Sequence, residues 1–182
     1  NPHDADYNYK TADNCVGITY AEEQVGFLAG YAAVKDGMTK LGYMGGMAVP
    51  AVVKYGYGFV QGAEYAAQEL GMADGSIELM YNYTGGFDAT PEAQNQAASW
   101  YNNGTEVIFA AGGAVGNSVM AAAEAAGTKV IGVDVDQSGE SETVITSAMK
   151  GLGTSVYDMI AAYYNGSFPG GENKVYDAAN NG

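Results

Sequence analysis

Glu106-Val107-Ile108-Phe109-Ala110-Ala111-Gly112-Gly113-Ala114-Val115-Gly116-Asn117 decides the fold. It opens with a short continuous apolar run, the pattern of a strand buried on both faces. A glycine-rich turn follows, then a helix expected from about Ser118 to Ala126 and closed by Gly127. The same unit recurs on both sides. Leu41-Gly42-Tyr43-Met44-Gly45-Gly46 reads as a strand ending in glycines, and Pro50 opens a periodic stretch to Leu70. Ile77–Tyr83 is the next strand. Thr90-Pro91-Glu92 is a helix start, with a capping Thr, Pro at the first helical position and an acid in the first turn. Lys129–Asp134 and Thr143–Ser147 complete the strands, and Leu152–Tyr164 reads as a closing helix. Strands alternating with helices predict an α/β fold: a three-layer parallel sheet with helices on both faces and right-handed crossovers.

The ends differ in character. Residues 1–15 are polar and read as loop. Val16–Tyr20 is a short strand followed by a helix over about Ala21–Lys35, with Gly37 as a break. That helix carries Val25, Phe27, Leu28, Tyr31, Ala32 and Val34 and needs a partner that the chain is not expected to contain. Residues 165–182 are rich in Gly and Asn, with one strand expected at Lys174–Tyr176.

Composition narrows the function. The 182 residues hold 21 acidic and 7 basic side chains, a formal charge of −14. So acidic a surface repels nucleic-acid phosphate and anionic membranes. One cysteine, Cys15, excludes an internal disulfide framework and a multi-cysteine metal site. It is read as a free, partly buried thiol with no His or Lys beside it to activate it. One histidine, His3, sits in a polar tail and is a poor basis for a catalytic triad or zinc site. No run approaches the ~20 apolar residues of a membrane-spanning helix.

In open parallel sheets the ligand crevice lies at the carboxyl ends of the strands. Those ends are Gly45–Met47, Thr84–Phe87, Phe109–Gly113, Asp134–Gln137 and Ser147–Lys150. The Gly112-Gly113-x-x-Gly116 turn suits close backbone approach by a ligand, or close strand–helix packing. It is not the G-x-G-x-x-G of a dinucleotide site, and no phosphate-loop motif is present. No cofactor is therefore expected. Asp134 and Asp136 share a side if the strand continues. A carboxylate there can accept from vicinal hydroxyls, as on a ribose, or cap the following turn. Lys150 can donate to a sugar hydroxyl, pair with Asp134, or lie along the surface. Phe87 and Phe109, read at strand ends, can stack a flat ring or fill the core. Trp100, at helical spacing with Ala97 and Ala98, reads as packing. Asn82-Tyr83-Thr84, Asn103-Gly104-Thr105 and Asn165-Gly166-Ser167 match a glycosylation pattern short enough to arise by chance.

Several segments, in order, resemble one family. Glu22–Gly30, EEQVGFLAG, is similar to its E-E-x-x-S-(F/Y)-L-A-G helix. Leu41–Met47, LGYMGGM, resembles its K-(V/I)-G-(F/Y)-(V/I)-G-G-M strand. Lys54–Gly62 resembles K-(F/Y)-x-x-G-(F/Y)-x-x-G. Val107–Gly116 is similar to V-I-(F/Y)-x-x-A-G-G-T-G, Val130–Gln137 to V-I-G-V-D-x-D-Q, and Thr146–Lys150 to T-S-M-V-K. The family is that of the basic membrane protein lipoproteins, whose best-understood members bind purine nucleosides for an ABC importer. The resemblance covers about residues 16–165.

It implies a type I periplasmic-binding-protein fold, two α/β lobes closing on ligand by hinge motion. It also implies an extracytoplasmic, lipid-anchored protein that works with a membrane permease and catalyses nothing. Asp134 and Lys150 match the family's acid and lysine that hold the ribose hydroxyls. Phe109 and the Gly112 turn match its purine-contacting region, and Phe87 matches an aromatic in G-x-F-x-D. The family's D-D-x-S-F-N segment is absent, Ala114-Val115 replaces G-T in the turn, and the Asp134–Lys150 segment is short. The expected organisation is residues 1–38 as a remnant of an N-terminal lobe, 39–165 as a complete C-terminal lobe, and 166–182 as a returning segment. The alternatives are a binder of a sugar or other small polar ligand, an enzyme on a Rossmann-like sheet, and a receptor with a degenerate cleft.

Overall fold

The structure, a computed structural model, describes residues 3–6 and 8–182. The element order is β1 (Gly17–Tyr20), α1 (Glu22–Lys35), β2 (Lys40–Gly45), α2 (Pro50–Glu69), β3 (Glu78–Tyr83), α3 (Pro91–Asn102) and β4 (Val107–Ala111). It continues with α4 (Val115–Ala126), β5 (Lys129–Asp134), β6 (Val144–Met149), α5 (Leu152–Tyr164) and β7 (Asn173–Tyr176). The expected order holds throughout, with α4 starting three residues earlier than its sequence pattern implied. The chain divides into two compact units: the stretch up to Ala21 with Lys150–Gly182, and Glu22–Met149. This differs from the expected division, because α1 groups with the central unit and α5 with the terminal one.

In the central unit five parallel strands lie in the order β3-β2-β4-β5-β6. Alternation along each strand sorts side chains to two cores. Leu41, Tyr43, Val107, Phe109, Ala111, Ile131 and Val133 face one, with Val34, Tyr55, Phe59 and Ala63 from α1 and α2. Met44, Ile108, Ala110 and Val130 face the other, with Ala97, Trp100 and Val119 from α3 and α4. Trp100 is packing, 7% exposed. Thr90 caps α3 by accepting from the Ala93 amide at 3.1 Å.

The partner that α1 needs is α2. Glycines on both helices meet the facing backbone. A Cβ on Gly30 would lie 2.0 Å from the Phe59 carbonyl oxygen, and one on Gly62 would lie 1.9 Å from that of Phe27. Gly26 and Gly58 make the same approach to Tyr55 and Glu23. The sequence motif therefore encodes a backbone-to-backbone seam. Gly62→Ala gains helix propensity, about 1 kcal/mol, but must push rigid backbone aside, and overpacking costs about 1–3 kcal/mol. We expect a net loss of up to about 2 kcal/mol in urea unfolding. Gly116→Ala on α4, where the nearest atom is the Met120 methyl at 3.9 Å, should be neutral or stabilising. Equal effects at both positions would refute the seam.

The terminal unit pairs β1 with β7 in parallel, Gly17 opposite Asn173 through Tyr20 opposite Tyr176. The Tyr20 hydroxyl bonds to Ser155 on α5, and Tyr176 donates to Asp158 at 3.0 Å. Cys15 is exposed, not partly buried as expected: it lies before β1 in a turn, its sulfur 3.5 Å from the Asn14 side-chain oxygen. His3 is exposed, in an isolated bridge with Tyr9. Among the described residues, no helix is long and apolar enough to cross a membrane.

Candidate ligand-binding site

The carboxyl ends of β2, β3, β4 and β5 bring together three of the five expected site residues. The loops there are tied by main-chain bonds. The Gly46 amide donates to Ala111 at 3.1 Å, Thr84 to Gly45 at 2.9 Å, and Gly85 to Gly46 at 3.1 Å. Glycine is required at this edge. A Cβ on Gly46 would fall 2.5 Å from the Phe87 ring, and one on Gly112 would fall 2.8 Å from the Gly46 nitrogen. Gly113, at φ +57°, lies against Phe87 as well. The Phe87 ring thus rests on a glycine floor and is 38% exposed. It is an open aromatic surface at the sheet edge.

Phe109 is not at that edge. It is the third of five residues in β4 and 0% exposed. Its ring packs against Tyr43, Tyr55 and Phe59 at centroid distances of 5.5, 5.7 and 5.3 Å. The expected contact with a ligand ring is therefore corrected. Strand alternation turns residue 109 toward α2, so its place is in the core behind the site.

Asp134 is the last residue of β5 and is half-buried. Its φ is +66°, a left-handed conformation that Asp tolerates better than most residues yet still at a cost. Such outliers persist where surrounding contacts fix them. Here Gln137 folds back, its side-chain oxygen accepting from the Val133 amide at 2.8 Å. The Gln137 amide donates to Ser147 Oγ at 3.1 Å. A Cβ on Gly132 would lie 2.7 Å from both the Gln137 oxygen and Ser147 Oγ. The Tyr55 hydroxyl, 2% exposed as a residue, donates to Asp134 Oδ1 at 3.1 Å. Burial first, then the Asp134 charge, pushes the Tyr55 hydroxyl far up, so it stays a neutral donor.

Because the strand ends at Asp134, Asp136 does not share its side as the alternation implied. Asp136 is exposed and accepts from the Ser138 amide at 2.9 Å. That bond holds its carboxyl below the usual range. It caps the turn. Lys150 is half-buried and belongs to the terminal unit, its ammonium 5.5 Å from the centre of the Tyr20 ring. Among the described residues no cluster of His, Cys, Asp and Glu could hold a metal ion.

Sequence reading placed Gln137 and Ser147 only within strand-end ranges and assigned no role to Tyr55 or Gly132. The signals were present: the tyrosine of the Lys54–Gly62 motif, and the glutamine closing Val130–Gln137.

A parallel sheet with helices on both faces is the architecture of type I periplasmic-binding-protein-like domains. A solved ABC transporter solute-binding protein from Aeropyrum pernix K1 superposes with a TM-score of 0.81 at 24% identity, over 95% of this chain and 50% of that one. One from Conexibacter woesei DSM 14684 gives 0.69 at 25% identity, over 91% and 52%. Residues 4–182 match the family described as "Bmp: ABC transporter substrate-binding protein PnrA-like", and the chain belongs to that family. Its relatives include the "ABC transporter nucleoside-binding protein BmpA" of Lactococcus lactis subsp. cremoris (strain MG1363), 30% identical over 192 residues, covering 95% of this chain and 53% of the relative. Basic membrane protein D of Borreliella burgdorferi (strain JD1) is 34% identical over 154 residues, covering 82% and 43%. The chain spans about half the length of the curated relatives it matches.

Proposed function

We propose that the protein is the extracytoplasmic, lipid-anchored solute-binding component of an ABC importer, that it binds purine nucleosides, and that it delivers them to a membrane permease without chemical change. The observation that carries the reading is the Asp134 carboxylate, fixed in a left-handed conformation at the end of β5. The strand order puts it about two strand spacings, ~10 Å, from the Phe87 platform over β2. That is the scale of a base joined to a pentose. In this reading Phe87 stacks the base, the Gly112 turn lets it approach the backbone, and Asp134 accepts from the ribose hydroxyls. The nucleoside-binding relative supports the ligand class.

The test is calorimetry on the full-length gene product with guanosine, inosine, adenosine and ribose. Micromolar or tighter nucleoside binding is expected, with ribose alone far weaker. Phe87→Ala should weaken nucleoside binding about tenfold, since aromatic stacking is worth about 0.5–1.5 kcal/mol beyond area. Tight ribose binding unaffected by Phe87→Ala would instead favour a sugar carrier. Binding of none of the four would sink the nucleoside assignment.

A further inference from the structure

We propose that Tyr55 is a positioning residue for ligand recognition: its buried hydroxyl, carried on α2, sets the orientation of the Asp134 carboxylate at the end of β5. The inference rests on the reading of Asp134 as the acceptor for sugar hydroxyls.

Tyr55 is held on three sides. Its ring meets Phe109 edge-on, at 5.7 Å and 90°. The α2 backbone at Tyr55 lies against Gly26 of α1, where no Cβ would fit. Its hydroxyl points to the ends of β5 and β6, 3.1 Å from Asp134 Oδ1 and 3.5 Å from the Ala148 carbonyl oxygen. A side chain this confined has little rotamer freedom left to lose, so its hydrogen bond carries direction. The carboxylate hangs from a residue in left-handed backbone. Its rotation about the side-chain bonds is limited by what Oδ1 accepts. A charged carboxylate has about four acceptor positions. One accepts from the phenol, which fixes how the carboxylate plane is turned toward a ligand's hydroxyl donors. The backbone beneath is fixed separately by the Gln137 clasp. Backbone and side chain of the acceptor are thus set by different contacts, and the Tyr55 bond belongs to the second. Aligned donors and acceptors in place before binding reduce what association must order.

Tyr55→Phe keeps the ring, its packing and the α1 contact, and removes the donor alone. In the full-length protein it should weaken guanosine binding about tenfold while changing binding of 2′,3′-dideoxyguanosine less than twofold, with the melting temperature moved by only a few degrees. The dideoxy ligand lacks the hydroxyls that Asp134 receives, so a general loosening of the site would weaken both ligands alike. Equal loss for both, or no loss for guanosine, overturns the positioning role. Asp134→Asn is measured beside it. If that variant weakens guanosine and Tyr55→Phe does not, the positioning role alone falls. If Asp134→Asn binds guanosine like the unaltered protein, the acceptor reading falls and takes the inference with it.

Discussion

Phe109→Ala is expected to lower stability by about 3–5 kcal/mol, the range for truncating a fully buried Phe. The ring touches three other aromatic side chains, and each such pair adds about 0.5–1.5 kcal/mol beyond the area it buries. A domain stable by about 5–15 kcal/mol would lose a large part of its margin. The midpoint of urea unfolding reads this directly. The second readout is binding by the fraction that remains folded in the full-length protein, expected to weaken by no more than the roughly tenfold expected for Tyr55→Phe, because residue 109 reaches the site only through Tyr55. The opposite pattern, intact stability with binding lost, would put the ring against the ligand. It would contradict the complete enclosure of residue 109.

Asp134→Ala should show the reverse pattern. Hydrogen bonds to a charged group are worth about 1.5–3 kcal/mol each. Losing two, to vicinal hydroxyls, weakens binding on the order of 10²- to 10³-fold or more. Stability should change little, because two effects oppose. The variant loses the bond from Tyr55 to a charged acceptor, which costs about 1.5–3 kcal/mol; the hydroxyl keeps the Ala148 carbonyl oxygen at 3.5 Å. The variant also removes a half-buried charge. Alanine at φ +66° gains no relief, so Asp134→Gly is the informative companion: it should be more stable than Asp134→Ala by about 1 kcal/mol and bind as poorly. Calorimetry on the full-length protein and thermal melts of all three forms check this. Unchanged nucleoside affinity in Asp134→Ala would leave the carboxylate a structural role only.

The alternation of strands and helices was legible because the inner strands of the central sheet, β2, β4 and β5, are short apolar runs bounded by glycine, proline or a polar turn. Period-two reading along Val107–Ala111 also gives the two faces, which is what places Phe109 in the core. The misreading came from treating residue 109 as a strand end when Ala110 and Ala111 still continue the ladder. Asp134 and Asp136 show a different limit. Alternation applies only while the backbone stays extended, and the left-handed turn at 134 comes from Gln137, three residues later. The α1–α2 seam was hidden for a third reason. Gly26, Gly30, Gly58 and Gly62 lower helix propensity, and their use appears only when two helices are set face to face. The Tyr55–Asp134 bond joins residues 79 positions apart, and no local pattern marks it.

The pairing of β1 with β7 also has a timetable. Thr19 and Lys174 hydrogen-bond across 155 residues of chain. At synthesis rates of about 5–20 residues per second, the first of these strands waits roughly 8–30 s for the second to be made. The central sheet can assemble in that interval, since each of its strands finds a neighbour sooner. During the wait the edge amides of Gly17–Tyr20 have no strand to satisfy them, and an unpaired edge is a template for wrong partners. The segment is four residues long. That brevity limits how firmly a stray strand could hold it before the native one arrives.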